Sequence, residues 1–176
     1  MEWQQLVLGI FERMSQEMDI ALDGLTVDDV NQQPSPDTNS IGWLVWHLTR
    51  CFDAAVANVL GEEQLWVKDK WHAKFNRPAD PQDIGVRQTP EDLAAFKSPE
   101  VQVLQGYHNA VLELTKQYLP SLSEADLDRK LDHPRFPTVS ARLTGTINDN
   151  YQHVGQIAYV RGLLKGMGWW ESARGG

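Results

Sequence analysis

The sequence predicts an all-α protein: a four-helix bundle with an irregular insert between its second and third helices. Three observations carry this. Four long stretches space their apolar residues three and four apart, as a helix with one buried stripe does. No stretch alternates apolar and polar residues with the β-branched enrichment of a strand, and no internal repeat is visible. The third is size: 176 residues, 41% of them hydrophobic and seven of them tryptophan, supply one substantial core and fall short of two. Residues 1–176 are therefore expected to form a single domain.

The first helix runs from about Trp3 to Leu25 on Leu6, Val7, Ile10, Phe11, Met14 and Met18. It has to stop before Asn31-Gln32-Gln33-Pro34-Ser35-Pro36-Asp37, where two prolines forbid continuation. Asn39 or Ser40 then caps a second helix that ends at Gly61, with Trp43, His47, Cys51 and Ala54 along one side. From Glu62 to Lys97 the pattern is less regular, with Trp66, Trp71 and Phe75 followed by Pro78, Pro81 and Pro90. This segment reads as one or two short helices plus loop, laid over one end of the domain. Ser98-Pro99-Glu100 opens a third helix with a cap, a first-turn proline and a first-turn acid. Its stripe is Val103, Leu104, Tyr107, Val111, Leu112 and Leu114, ending near Pro120. After a polar connector from Ser121 to Pro137, the fourth helix runs from about Val139 to Lys165 and closes on Gly166.

Composition removes several classes of function. A net charge of −8, from 24 acidic and 16 basic residues with the basic ones scattered, offers no face for phosphates, so no nucleic-acid partner is expected. The one cysteine, Cys51, excludes an internal disulfide framework and favours a reducing compartment. Met1-Glu2-Trp3-Gln4-Gln5 lacks the basic start and apolar core of a signal peptide. No apolar run approaches the roughly 18 residues of a membrane span. A cytoplasmic protein that does not engage membranes is expected.

The candidate chemistry lies on the second and fourth helices. Four residues of helix advance about 400°, so Asp149 and His153 lie about 40° apart on one face and about 6 Å apart along the axis. Both can reach one ion. His47, near the middle of the second helix, would complete a two-histidine, one-carboxylate set suited to a divalent metal with open positions. A carboxylate facing a core needs a partner, which a cation would supply. Gly155 in mid-helix suggests that something approaches the backbone closely there. The alternative stays open at this point: Asp-x-x-x-His arises by chance, and an inward histidine is more often a hydrogen-bonded core residue.

The wording of two segments goes further. Asn148-Asp149-Asn150-Tyr151-Gln152-His153-Val154-Gly155-Gln156-Ile157-Ala158-Tyr159-Val160-Arg161-Gly162, taken with Ser40-Ile41-Gly42-Trp43-Leu44-Val45-Trp46-His47-Leu48, resembles the DinB/YfiT-like superfamily. It looks closest to actinobacterial members of the DinB and mycothiol-dependent enzyme group. The resemblance covers nearly the whole chain, Gly61-Glu62-Glu63-Gln64-Leu65-Trp66 and Asp126-Leu127-Asp128-Arg129 included. It implies an up-down-down-up bundle, often dimeric, with a metal near one end. His47 then matches the family ligand of the second helix, and Asp149 and His153 match the acid-x-x-x-His pair of the last. Many members carry histidine where this chain has Asp149. The thiol-dependent isomerase branch uses glutamate there, and aspartate reaches less far.

With the resemblance, the expected function is a metal-dependent enzyme using a low-molecular-weight, mycothiol-like thiol for S-transfer or isomerisation of a small electrophile. Zn2+ is the expected ion, with Ni2+ as a second choice. A metal-dependent hydrolase and a non-catalytic, stress-related small-molecule-binding bundle are the alternatives. Arg161, two turns past His153, holds an anionic group of the cosubstrate or forms a surface ion pair. Cys51, one turn after His47, reads as a small buried hydrophobe, although a thiolate there would bind zinc well. His108 reads as a satisfied semi-buried histidine or a pocket residue, and His72 and His133 as solvent-facing. Trp66, Trp71 and Phe75 either roof a pocket or pack the insert on the bundle. The Trp169-Trp170 pair docks on the bundle or on a second subunit.

Overall fold

Each long helix forms where the sequence alternates a packing stripe with a stop signal. The structure, a computed structural model, describes residues 2–166 and 168–170. Among these lie the helices α1 (Trp3–Leu22), α2 (Val27–Asn31), α3 (Ile41–Leu60), α4 (Leu65–Lys68), α5 (Trp71–Lys74), α6 (Pro90–Ala95), α7 (Val101–Tyr118) and α8 (Val139–Lys165). Short 3-10 turns follow at Leu119–Ser121 and Ala125–Asp128, and a single antiparallel bridge joins Lys130 to Thr138. Among the described residues there is no strand, and no helix is long and apolar enough to cross a membrane.

The caps explain the limits. Ser40 accepts from Trp43 N at 3.2 Å to start α3, and Gly61, at φ 71, closes it in the left-handed conformation that glycine adopts without steric cost. Thr138 accepts from Ala141 N at 3.2 Å to start α8. The first helix stops at Leu22, three residues short of the expected end, and a capping box of Thr26 with Asp29 starts the unexpected α2. The third long helix also departs from expectation. Its N-cap is Glu100, and Ser98 makes no cap because its hydroxyl donates to Pro99 O, while its backbone pairs with the Asn31 side chain at 2.7 and 3.1 Å.

The four long helices pack in a ring in which α1 and α3 each contact both α7 and α8. Side-chain neighbours give the directions. Asp19 meets Gln105 and Glu12 meets Lys116, so α1 and α7 run antiparallel. Asp53 and Thr49 meet Tyr107 and His108, while Trp46 near the start of α3 meets Phe96 just ahead of α7, so those two run parallel. Arg161 reaches Ile20 and Ala21, so α1 and α8 run parallel. The order is up-down-down-up.

Phe11 stacks on Phe52 with ring centroids 4.6 Å apart, and Trp46, Leu48, Leu104 and Ile157 fill the space between the helices. Each such side chain contributes roughly 1.5–3 kcal/mol of burial. Leu6, expected in the stripe of the first helix, is 56% exposed; the packed stripe runs instead through Phe11, Met14, Met18, Ala21 and Leu22.

The insert contains three short helices rather than one or two. It is anchored by Trp66, Phe75 and Phe96, which bury against Tyr107 and Trp46, so these aromatics pack the insert onto the bundle.

Candidate metal centre

His47 and Cys51 stand one turn apart on α3, Asp149 and His153 one turn apart on α8, and the two helices pack side by side. His47 meets His153 with ring centroids 4.7 Å apart at 89°, and Cys51 meets Asp149. One ligand atom from each of His47, Cys51 and Asp149 lies within 4.8 Å of the others. His153 joins through Asp149, its Nε2 being 3.6 Å from Oδ1. The expected set of His47, Asp149 and His153 is thus brought to one place. The tightest trio, however, contains Cys51 where His153 was expected.

Hydrogen bonds fix how the imidazoles face the centre. His47 Nδ1 bonds to the carbonyl of Ile84, and a carbonyl only accepts, so Nδ1 carries the proton and Nε2 the lone pair. His153 Nδ1 donates to Gln156 Oε1 at 2.7 Å, which leaves its Nε2 toward Asp149. Asp149 Oδ2 is buried and accepts no hydrogen bond. Two imidazole nitrogens, a carboxylate and a thiol therefore converge, with a weak hydrogen bond from the Cys51 thiol to His47 Nε2 and an Asp149 oxygen left unpaired. This donor set fits a divalent, borderline-soft ion such as Zn2+, with outer partners holding the rings.

Charge and burial act differently on each group. Burial lowers the His47 pKa, partly offset by Ile84 and Asp149 and reinforced by His153, so its neutral form is favoured. Burial also pulls His153 down, but its bonds to Asp149 and Gln156 outweigh this and raise it. Burial pushes Asp149 up, yet His153, with His47 and the Cys51 thiol, brings it below the usual carboxylate range. The Cys51 thiol is pushed up to about 12 by burial and then by the charge of Asp149, against the pull of Arg142 and Arg50. Without a cation it stays protonated; beside one, a coordinating thiol loses its proton.

The insert supplies what the helices cannot. Gly85 follows Ile84 at φ 84, and a Cβ there would sit 2.8 Å from Trp43, 2.9 Å from Trp46 and 3.3 Å from His47 Nδ1. Only glycine lets this backbone reach the imidazole. Trp43 stacks on the His47 ring at 4.8 Å and 10°, and donates to Gln88 Oε1 at 2.7 Å, which pins the insert beside it. Nothing in the sequence reading singles out Ile84, Gly85 or Arg142. Gly85 lies in a loop without a motif, while Arg142 precedes Asp149 by seven residues and so shares its face. Gly155, where a close approach was expected, is exposed and has nothing within 4 Å of its Cβ position.

The remaining candidates lie elsewhere. The Arg161 guanidinium donates to Ile20 O and Ala21 O at 3.2 and 2.8 Å and stacks 4.6 Å over Trp169, so it serves the end of α1. Trp169 is thereby docked on the bundle. His108 is buried, shares a 3.3 Å hydrogen bond with Thr49, and has no partner at Nε2. His72 and His133 are half-buried rather than solvent-facing, each hydrogen-bonded to backbone a few residues further along the chain.

Fold and centre together define a helical bundle whose polar groups converge between its second and last long helices. The comparisons place that class. A family model described as the DinB superfamily matches residues 10–157, and the chain belongs to that superfamily. A crystal structure of a conserved protein from Enterococcus faecalis is similar over 95% of this chain and 99% of that one, at 32% identity and a TM-score of 0.85. No curated protein matches.

Proposed function

We propose that this chain is a metal-dependent enzyme that takes a low-molecular-weight, mycothiol-like thiol as cosubstrate and transfers or isomerises a small electrophile. The observation that carries the metal part is the meeting of His47, Cys51 and Asp149 ligand atoms within 4.8 Å, beside a buried Asp149 oxygen without a partner. The thiol part is supported by the sequence resemblance. A bound divalent ion lowers the pKa of a coordinated thiol, so that thiolate is present near neutral pH. The protein's own residues prepare the place. Burial keeps His47 neutral, the Ile84 carbonyl holds its ring, and Gln156 holds that of His153. Asp149 stays ionised and supplies the negative charge. The partners on this reading are a small molecule in a cytoplasmic setting and a second copy of the chain.

Metal analysis of purified protein with the His47→Ala and His153→Ala variants is the direct test. The native protein should carry stoichiometric metal and each variant should lose most of it; unchanged metal in both would remove these two ligands. Turnover with and without added thiol separates transfer from hydrolysis, and thiol-independent hydrolysis would overturn the cosubstrate.

A further inference from the structure

We infer that Cys51 is itself a metal donor, so that the centre is a four-donor set built from two pairs, His47 with Cys51 on α3 and Asp149 with His153 on α8. The inference rests on the metal reading above and goes beyond its two imidazoles and one carboxylate. Bond lengths of about 2.0–2.3 Å at a tetrahedral ion set neighbouring donors about 3.3–3.8 Å apart. Cys51 Sγ lies 3.7 Å from His47 Nε2, the nitrogen that carries the lone pair and accepts the weak S–H hydrogen bond that a metal would replace. Asp149 Oδ1 lies 3.6 Å from His153 Nε2. Two edges of such a tetrahedron are therefore already near their required lengths, one on each helix. The antiparallel run of α3 and α8 sets the pairs crosswise, His47 by His153 and Cys51 by Asp149.

The surroundings of Cys51 argue against a packing role. It is half-buried, and its sulfur faces an imidazole and a carboxylate rather than the apolar core. A sulfur donor also narrows the choice of ion toward Zn2+ and away from Mg2+, Ca2+ and Mn2+. On coordination the Cys51 S–H bond breaks, a metal–sulfur bond forms, and the proton leaves to solvent. Four protein donors close a tetrahedral site, so a cosubstrate thiol has to displace one of them or enlarge the coordination number.

Because Cys51 is the one cysteine of the chain, the native protein is its own reporter. Loading it with Co2+ in thiol-free buffer should give visible d–d bands together with a near-ultraviolet thiolate-to-cobalt charge-transfer band. Cys51→Ser should lose the near-ultraviolet band and keep visible ones. Bound Co2+ with d–d bands but no charge-transfer band in the native protein overturns the role of Cys51 and leaves the metal reading standing. Failure of the protein to bind Co2+ or Zn2+ at all overturns both. Should Cys51→Ser not fold, alkylation of the native protein by iodoacetamide decides. Co2+ should slow it about 10-fold or more, since a coordinated sulfur is withdrawn from reaction, and equal rates overturn the inference.

Discussion

Two charged or polar clusters share α3 within two turns, and they differ in one respect. At Arg50 and Asp53 every donor has an acceptor. The guanidinium spends its five N–H groups on Asp83 O, Gln64 Oε1, Tyr107 OH, Asp80 O and Pro81 O. Asp53 accepts from Leu65 N, Trp66 N and Tyr107 OH at 2.9, 2.8 and 2.6 Å. At His47, Cys51, Asp149 and His153 the groups meet through a weak Cys51–His47 hydrogen bond and a 3.6 Å His153–Asp149 pair, and a buried Asp149 oxygen is left over. A buried polar network complete in itself organises structure, here by clamping the insert to α3. One left incomplete, with an unpaired carboxylate oxygen, is where the proposed cation would bring the missing positive charge.

The largest effect should come from breaking the complete cluster. Arg50→Met leaves Asp53 buried without its cation and frees the insert, so urea denaturation should show a loss of about 3–5 kcal/mol. A loss under about 1 kcal/mol would contradict the contrast between the clusters.

His108, on the other side of α3, sharpens it: a buried histidine whose Nε2 has no partner and which no acid faces. Burial lowers its pKa to about 4, against 6.5 for the free group. Between those values the unfolded chain takes up a proton that the folded one refuses, so stability falls as pH drops from 6.5 toward 4. The full penalty is on the order of 3 kcal/mol. Urea midpoints at about pH 7 and about pH 4.5 should separate less in His108→Gln than in the native protein; equal separation removes this assignment.

Gly85→Ala probes the link between the clusters. A Cβ at that site meets Trp43 and Trp46, so the loop must retreat and His47 lose its Ile84 acceptor. Zn2+ affinity, measured by competition with a chelator, should fall about 10- to 100-fold, as when outer-shell partners are lost.

The smallest effect belongs to the surface pair of exposed Lys165 with half-buried Asp29. Asp29 is brought down to about 2, chiefly by Lys165 and then by Thr26, so the pair contributes above the ordinary carboxylate pKa and is lost as pH falls toward 2. Lys165 is 43% exposed, and Lys165→Ala should cost less than about 1 kcal/mol near neutral pH.

Long helices were legible because their stripes and stops act locally. Ser40, Gly61 and the Val139–Lys165 span all fall where the residues indicate. The short helices α2 and α6 carry signals too, Thr26 with Asp29 and Thr89 with Asp92, but a few residues hold too little periodicity to mark a helix. In the centre, spacing put Asp149 and His153 on one face, and His47 joined them through packing. Cys51 reads as a small buried hydrophobe or a zinc-binding thiolate, and spacing alone does not choose, because the choice depends on which helix faces it. Ile84 and Gly85 were illegible for a similar reason: a main-chain carbonyl has no signature in the sequence, and its meeting with His47 depends on how a 36-residue insert folds back.

That carbonyl has a wider consequence. Inside a helix the ladder from N–H to C=O consumes main-chain acceptors, so a bundle made only of helices has few left to steer a side chain in its middle. The irregular insert brings a stretch of backbone whose oxygens are not tied into a helix ladder and lays one of them against His47. Changes in the length or course of residues 76–88 should therefore retune the orientation of His47, and with it any metal affinity of the proposed centre, without touching a proposed ligand.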